Sequence, residues 1–311
     1  MLPEVYTEEE WDRVLPDESV MRPGAEKLCA RLGLAGAPLT RYAEGSQPVY
    51  AVGDTHVLKL FPGLCAEDGV TEARVLAHVE GRLPVPTPRL HDAGAYVNGW
   101  RYVLMSRLPG EGLAEAWPRI PRADRERIVT DAAEALAALH ALDPGPLADV
   151  LGPGDWGAFV DRQRAGAVEQ QRRHGLAESW LEQIPGFLDS VELPAARDHQ
   201  PALLHTEFMR QHLIVDPDDA WRLTGLFDFE PAMIGDPAYD LVGVGLFVTR
   251  AEPGLFARFL KAYGRTYDPR QLLAYTLLHV YSKLPWYLSE LPAPPEPTLD
   301  ALAGTWFGPG E

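Results

Sequence analysis

The stretch 205–216 holds two histidines and a carboxylate, His205, Glu207 and His212, between two short apolar runs, Ala202–His205 and Leu213–Val215. Polar groups on a turn between strands are a common mounting for chemistry, because the strands hold the backbone while the turn presents the side chains. A third apolar run, Leu223–Phe229, carries Asp228 near its end, and Gly235-Asp236-Pro237 follows, with Asp240 three residues later. Far upstream, Lys59 stands between Leu58 and Leu60. Carboxylates at such places can accept a proton or hold a hard cation. A lysine whose stem is fixed by apolar neighbours suits an anion such as a phosphate.

The elements around these residues can be read from periodicity. Pro48–Val52 and Val57–Phe61 are strand-like, and Gly53-Asp54 between them is a hairpin signal. A helix follows with Val75, Leu76 and Val79 on one stripe. Glu72 lies one turn earlier on that stripe, which lets it reach inward to orient Lys59; Glu67 is the other candidate. Tyr102–Met105 is a further strand, ended by Leu108-Pro109-Gly110. Beyond it the pattern is mainly helical. Helices are expected from Ile128 to Leu142, from Trp156 to Trp180 with Gln and Arg on the polar face, near 255–263, and from Arg270 to Leu288. The fold class is therefore α+β, with a small β-rich lobe over 1–105 and a larger, mainly helical lobe over 106–311 sharing a cleft.

At this point the chain resembles the aminoglycoside phosphotransferase family, which has the protein-kinase-like two-lobed fold. The resemblance rests on the ordered motifs Lys59 in its strand, Pro84-Val85-Pro86, Leu139-His140, the 205–212 loop, Asp228-Phe229-Glu230 and Gly235-Asp236-Pro237, from about Tyr42 to Leu241. It implies an ATP-dependent transfer of the γ-phosphate to a hydroxyl of a small molecule, assisted by Mg²⁺. In that scheme Lys59 binds the α/β-phosphates and is oriented by Glu72. Backbone amides near Gly45, Ser46 and Gln47 cover the phosphates, and the segment from Met105 through Arg107 to Leu108 reads adenine. Asp228 is the principal metal ligand. The family's catalytic Asp is Glu207 here, its metal-binding Asn is His212, and Thr206 replaces a Gly. Glu207 keeps a carboxylate as the base on a longer arm. His212 offers nitrogen, which suits Mn²⁺ better than Mg²⁺. The motifs are loosely nearest to hygromycin-type kinases.

Two other readings compete. If the departures silence transfer, the chain is a nucleotide-binding pseudokinase that keeps Lys59 and Asp228. Alternatively, His205 and Glu207, two apart on a strand, face one side near His212, which is the donor set of a non-haem metal site. His205 otherwise reads as a loop-holding residue, His140 as a core histidine, and Asp236 and Asp240 as turn and cap residues. No activation segment ending in Ala-Pro-Glu follows Asp228, which disfavours a protein substrate.

Composition narrows the partners. The net charge of −17 argues against a phosphate-backbone binder; it either serves solubility alone or attracts a small, hydroxylated, cationic acceptor such as an amino-sugar. Trp286, Tyr287 and Trp306 can stack on sugar faces or pack in the core. The two cysteines, Cys29 and Cys65, fit no metal or redox spacing, and the acidic N-terminus lacks an apolar signal. A cytoplasmic location without membrane contact is the default expectation.

Overall fold

The computed structural model describes residues 2–43, 45–194 and 200–308. The chain divides into two compact units. The first comprises Met1–Arg82, Pro86–Gly110 and Thr224–Pro231, and the second comprises Leu83–Val85, Glu111–Leu223 and Ala232–Glu311. The first unit therefore runs past Met105 and gains a segment from much later in the chain. Hydrogen bonds explain the gain: Leu226 donates to the Pro86 carbonyl and Thr224 to that of Pro109.

In the first unit two helices, α1 (Glu8–Val14) and α2 (Glu18–Arg31), precede a five-stranded antiparallel sheet. Its strands are β1 (Leu39–Arg41), β2 (Val49–Val52), β3 (His56–Phe61), β4 (Leu90–Ala95) and β5 (Arg101–Ser106), in the order β1-β2-β3-β5-β4. Thr7 and Glu10 form a capping box that starts α1, a helix not foreseen from periodicity. Gly53, at φ +59°, makes the hairpin turn between β2 and β3. Leu2, Val5, Met21, Leu28, Tyr50, Leu58, Leu60 and Trp100 form a core under the sheet. Glu18 caps its edge by accepting from Tyr50 and pairing with Arg41. Helix α3 (Ala66–Val79) buries Glu72 together with Val75, Leu76 and Val79, as its stripe predicts.

The second unit opens with β6 (Glu111–Gly112) and the single turn α4 (Leu113–Ala116), followed by α5 (Arg122–Ala141), α6 (Trp156–Arg173), α7 (Glu178–Leu181) and α8 (Gln183–Ser190). Three short strands come next: β7 (Ala202–Leu204), β8 (Leu213–Asp216) and β9 (Arg222–Leu226), the last crossing the unit boundary. β10 (Met233–Gly235) pairs antiparallel with β7, and β6 pairs with β8. The remaining helices are α9 (Ala238–Gly243), α10 (Pro253–Tyr263), α11 (Pro269–Leu278), α12 (Leu284–Glu290) and α13 (Leu299–Phe307). Among the described residues no helix is long and apolar enough to cross a membrane.

Several expectations need correction. The strand carrying Asp228 stops at Leu226, because Asp228 adopts φ +74°, which no strand residue can hold. The single helix expected over 270–288 is two, α11 and α12, parted at residues 279–283; Pro285 stands in the first turn of α12, where proline is tolerated. The glutamines of α6 do not all face solvent, since Gln171 is fully buried.

Candidate functional site

In the first unit, register and helix phase bring four ionisable side chains together. Lys59 sits in β3 between β2 and β5, opposite Val49 and Val103, and is 5% exposed. Its Nζ donates to Glu72 Oε2 at 3.1 Å and also contacts the carboxylates of Asp228 and Glu230. The donor oxygens of Glu72, Asp228 and Glu230 lie within 4.8 Å of one another. Glu72 is fully buried and its other oxygen accepts from the Phe229 amide at 3.3 Å, which pins the 227–229 turn. Burial pulls the Lys59 ammonium down, but Asp228, Glu72 and Glu230 together hold it well above its ordinary value. Burial lifts Glu72, against the pull of Lys59. Burial likewise lifts the Glu230 carboxyl to about 8, Lys59 opposing and the two neighbouring carboxylates adding. One ammonium thus serves three carboxyl groups, two of them lifted toward the neutral form, and all three offer the oxygen that a hard cation prefers.

In the second unit the 205–212 loop hangs from one buried carboxylate. Asp240 accepts from the His205 amide at 2.8 Å, the Thr206 amide at 2.7 Å and His140 Nε2 at 2.9 Å. Burial would raise its carboxyl, but the His140 hydrogen bond and the two histidine charges, with the amides, hold it below the usual range. Asp240 is therefore no cap; it is the loop's anchor. His140 is fixed in turn by the Tyr263 hydroxyl at 2.7 Å. The anchored turn forces Thr206 to φ +71°, a strained value for a β-branched residue. Gly243 of α9 lets this loop approach closely, because a Cβ there would stand 2.8 Å from the Phe208 carbonyl oxygen.

The strand geometry expected for His205 and Glu207 is not found: β7 ends at Leu204 and the chain turns at Thr206. The His205 ring is buried, stacked on His212 with centroids 5.8 Å apart and edge-on to Phe208. Among the described residues, Glu207 and His212 bring donor atoms within 4.8 Å of each other but His205 does not join them, so the expected set of His205, Glu207 and His212 is not formed. His212 Nδ1 lies 2.8 Å from the Glu207 carbonyl oxygen, so this nitrogen carries the proton and Nε2 is the acceptor side.

Glu207 lines a small open cavity of about 160 Å³ within the second unit. Its walls are Thr206, Met209 and Val242 with the rings of Phe247, Tyr281, Trp286 and Tyr287; Lys283 also faces it. Phe247 is displayed by a wide helical turn over Val244–Val248 and stacks on Trp286 at 5.9 Å. His279 is stacked on Tyr239, donates through Nε2 to the Thr206 carbonyl at 3.2 Å and accepts from the Tyr281 amide at Nδ1. Burial drives its pKa down to about 4, so the ring is neutral at physiological pH.

The structure thus brings Lys59, Glu72 and Asp228 together in one unit, and Glu207 and His212 in the other. Gly45 and Ser46 sit in the exposed turn between β1 and β2, Gly45 at φ +111°. Met105 is buried in β5, in register with Val57 and Leu90. The amide of Arg107 is already donated to the Thr55 carbonyl at 2.8 Å. Trp286 and Tyr287 face the cavity, whereas Trp306 is buried with its indole donating to Pro292. Glu230 and Lys283 were not singled out by sequence; the signal for Glu230 was its place two residues after Asp228, on the same turn.

A family model described as the phosphotransferase enzyme family matches residues 39–274. Among solved structures, the GDP complex of wild-type aminoglycoside 2'-phosphotransferase-IIIa is 19% identical, over 83% of this chain and 88% of that one, with a TM-score of 0.70. A thermostable mutant of APH(4)-Ia in ternary complex with ADP and hygromycin B is 19% identical, over 93% and 100%, with a TM-score of 0.65. Aminoglycoside phosphotransferase APH(3'')-Id from Streptomyces rimosus is 19% identical, over 83% and 97%, at 0.60. At these identities the likeness establishes the kinase-like fold. A curated relative, lysine-specific demethylase JMJ21 of Arabidopsis thaliana, is 24% identical in an alignment 207 residues long that covers 53% of this chain. The match spans 21% of that protein's length.

Proposed function

Because the chain belongs to the phosphotransferase enzyme family, we propose that it moves the γ-phosphoryl group of ATP to a hydroxyl of a small molecule. The observation that carries this reading is the Lys59 ammonium held among Glu72, Asp228 and Glu230. Phosphoryl transfer needs charge placed around a polyanion more than it needs covalent chemistry. Lys59, fixed in position by Glu72, supplies a cation for the phosphates. Asp228 and Glu230, both partly exposed, offer oxygen donors that fit Mg²⁺, while Glu72 is fully buried and also accepts from the Phe229 amide. When bound, the cation neutralises phosphate charge. Glu207 is assigned as the acceptor of the hydroxyl proton, and His212, through its bond to the Glu207 carbonyl, as the group that shapes the loop. The backbone near Gly45 and Ser46 is assigned to the phosphates and the Met105–Arg107 segment to the base. Within that segment the Arg107 amide is already spent on Thr55.

An amino-sugar acceptor is supported by the net charge of −17 and by the kanamycin and hygromycin B held in related structures. Within the cavity, however, Lys283 stands against a polycation. A pseudokinase is the second reading, favoured by the strained Thr206 and by Glu207 in place of the shorter Asp. Calorimetric titration with ATP and Mg²⁺, then Mn²⁺, tests the nucleotide site: binding is expected in the native chain and lost in Asp228→Ala. ADP formation with an acceptor panel, abolished in Glu207→Gln without loss of ATP binding, supports transfer. ATP binding without ADP formation for any acceptor would leave the pseudokinase, and no ATP binding would remove both.

A further inference from the structure

The charges lining the cavity are few. Tyr287 is held neutral, burial pushing its phenol up to about 12, and the His279 ring is neutral as well. That leaves Glu207 and Lys283 as the charged side chains on the wall. On the phosphotransferase reading Glu207 is committed to the acceptor hydroxyl. Lys283 has no such commitment: among the described residues its ammonium has no carboxylate within ion-pair distance, in a chain with 45 acidic residues. Lys283 is exposed and lines the cavity, so its ammonium is open to a ligand that enters there.

Its backbone is held firmly. Gln171, fully buried on α6, donates through Nε2 to Ser282 Oγ at 2.8 Å and accepts the Leu284 amide at 2.9 Å. Gln170 donates to the Ser282 carbonyl at 3.2 Å. The residues on both sides of Lys283 are therefore pinned from behind, and only its side chain is at liberty. Around it stand Phe247, Tyr281, Trp286 and Tyr287, whose faces take a flat apolar body.

We infer that the acceptor is a hydroxylated molecule with one flat apolar face and one acidic group, the acid read by Lys283, and not a polycationic aminoglycoside. The inference rests on the reading of this cavity as the acceptor site of a phosphotransferase. Among the described lining residues a polycation meets one carboxylate, Glu207, and one ammonium, Lys283. An acid of the stated shape pairs Lys283, stacks on the rings and leaves its hydroxyl for Glu207.

Three molecules of one shape separate the alternatives: 3-phenyllactate (anionic), 3-phenyl-1,2-propanediol (neutral) and phenylalaninol (cationic). Their affinities are measured by calorimetry on the purified full chain, alongside kanamycin, for the native protein and Lys283→Glu, with thermal melting to confirm folding. Phenyllactate is expected to bind native protein about fivefold more tightly than the diol, the size of a partly exposed ion pair. Phenylalaninol is expected to be the weakest, and Lys283→Glu should reverse the order. Tighter binding of phenylalaninol or kanamycin than of phenyllactate, an unchanged order in Lys283→Glu, or no binding of any aromatic probe overturns the inference. ATP titration in the same samples keeps the two readings apart. Failure to bind ATP with the order intact sinks the phosphotransferase reading and with it the acceptor role, leaving only the preference of the cavity for an aromatic acid, and ATP binding with the order reversed in native protein sinks this inference alone.

Discussion

The two units treat charge in opposite ways. In the first, Lys59 and Glu72 are buried with the partly exposed Asp228 and Glu230 against them, so the electrostatics are set before any ligand arrives. In the second, the fully buried carboxylate of Asp240 is consumed by the loop itself, and the described wall of the cavity is aromatic with the exposed ammonium of Lys283. The contrast fits a division of labour. On the phosphotransferase reading, a nucleotide's phosphates are the same in every turnover and reward a preorganised charge cluster, whereas an acceptor is distinguished by shape, which rings and an exposed lysine read with little desolvation cost.

The contrast breaks most sharply at Asp240. Asp240→Ala leaves the His205 and Thr206 amides and His140 without their acceptor, and urea unfolding should show a loss of about 3–5 kcal/mol together with loss of any transfer activity. Removal of the ammonium from the other cluster comes next. Lys59→Met leaves Glu72, Asp228 and Glu230 facing one another, so stability should fall by roughly 3 kcal/mol and ATP affinity by more than tenfold in calorimetry. An unchanged ATP affinity would remove Lys59 from the phosphate site.

Acid should act on the second unit through His279. Its pKa drops from 6.5 in the unfolded chain to about 4 in the fold, so between those values the unfolded chain binds the extra proton. Stability is therefore fully present above pH 6.5 and declines as pH falls toward 4, by up to about 3 kcal/mol from this group. Unfolding at pH 7.5, 5.5 and 4.5 should show that decline, reduced in His279→Gln. The smallest effect is expected at Thr206, whose buried hydroxyl has no hydrogen-bond partner and whose φ is +71°. Thr206→Gly should raise stability by about 1 kcal/mol. If acceptor binding falls in the same variant, the strain serves the cavity.

The legible parts were those in which type and period spoke together. Lys59 between apolar neighbours, Glu72 on the inward stripe of α3 and Asp228 after an apolar strand were all readable, and the structure places the three in one cluster. Asp240 was misread because one turn of helix after Gly235-Asp236-Pro237 looks like a cap, and nothing local shows that residues 205 and 206 hang from it. The break at 279–283 was hidden because the apolar pattern of α11 continues past it. Pro285 was the available sign. Lys283 and Gln171 carried no signal at all, since an exposed lysine and a helical glutamine have ordinary uses that outnumber these.

The two glutamines of α6 have a consequence for how such a protein can change. They touch the 279–284 segment only from behind, yet they fix where Lys283 and Tyr281 stand. Drift at positions 170 and 171 can therefore shift which compounds are accepted while every wall residue stays the same. Selection for a new acceptor has a route through a helix that never meets one, and a comparison of binding walls alone would miss the divergence.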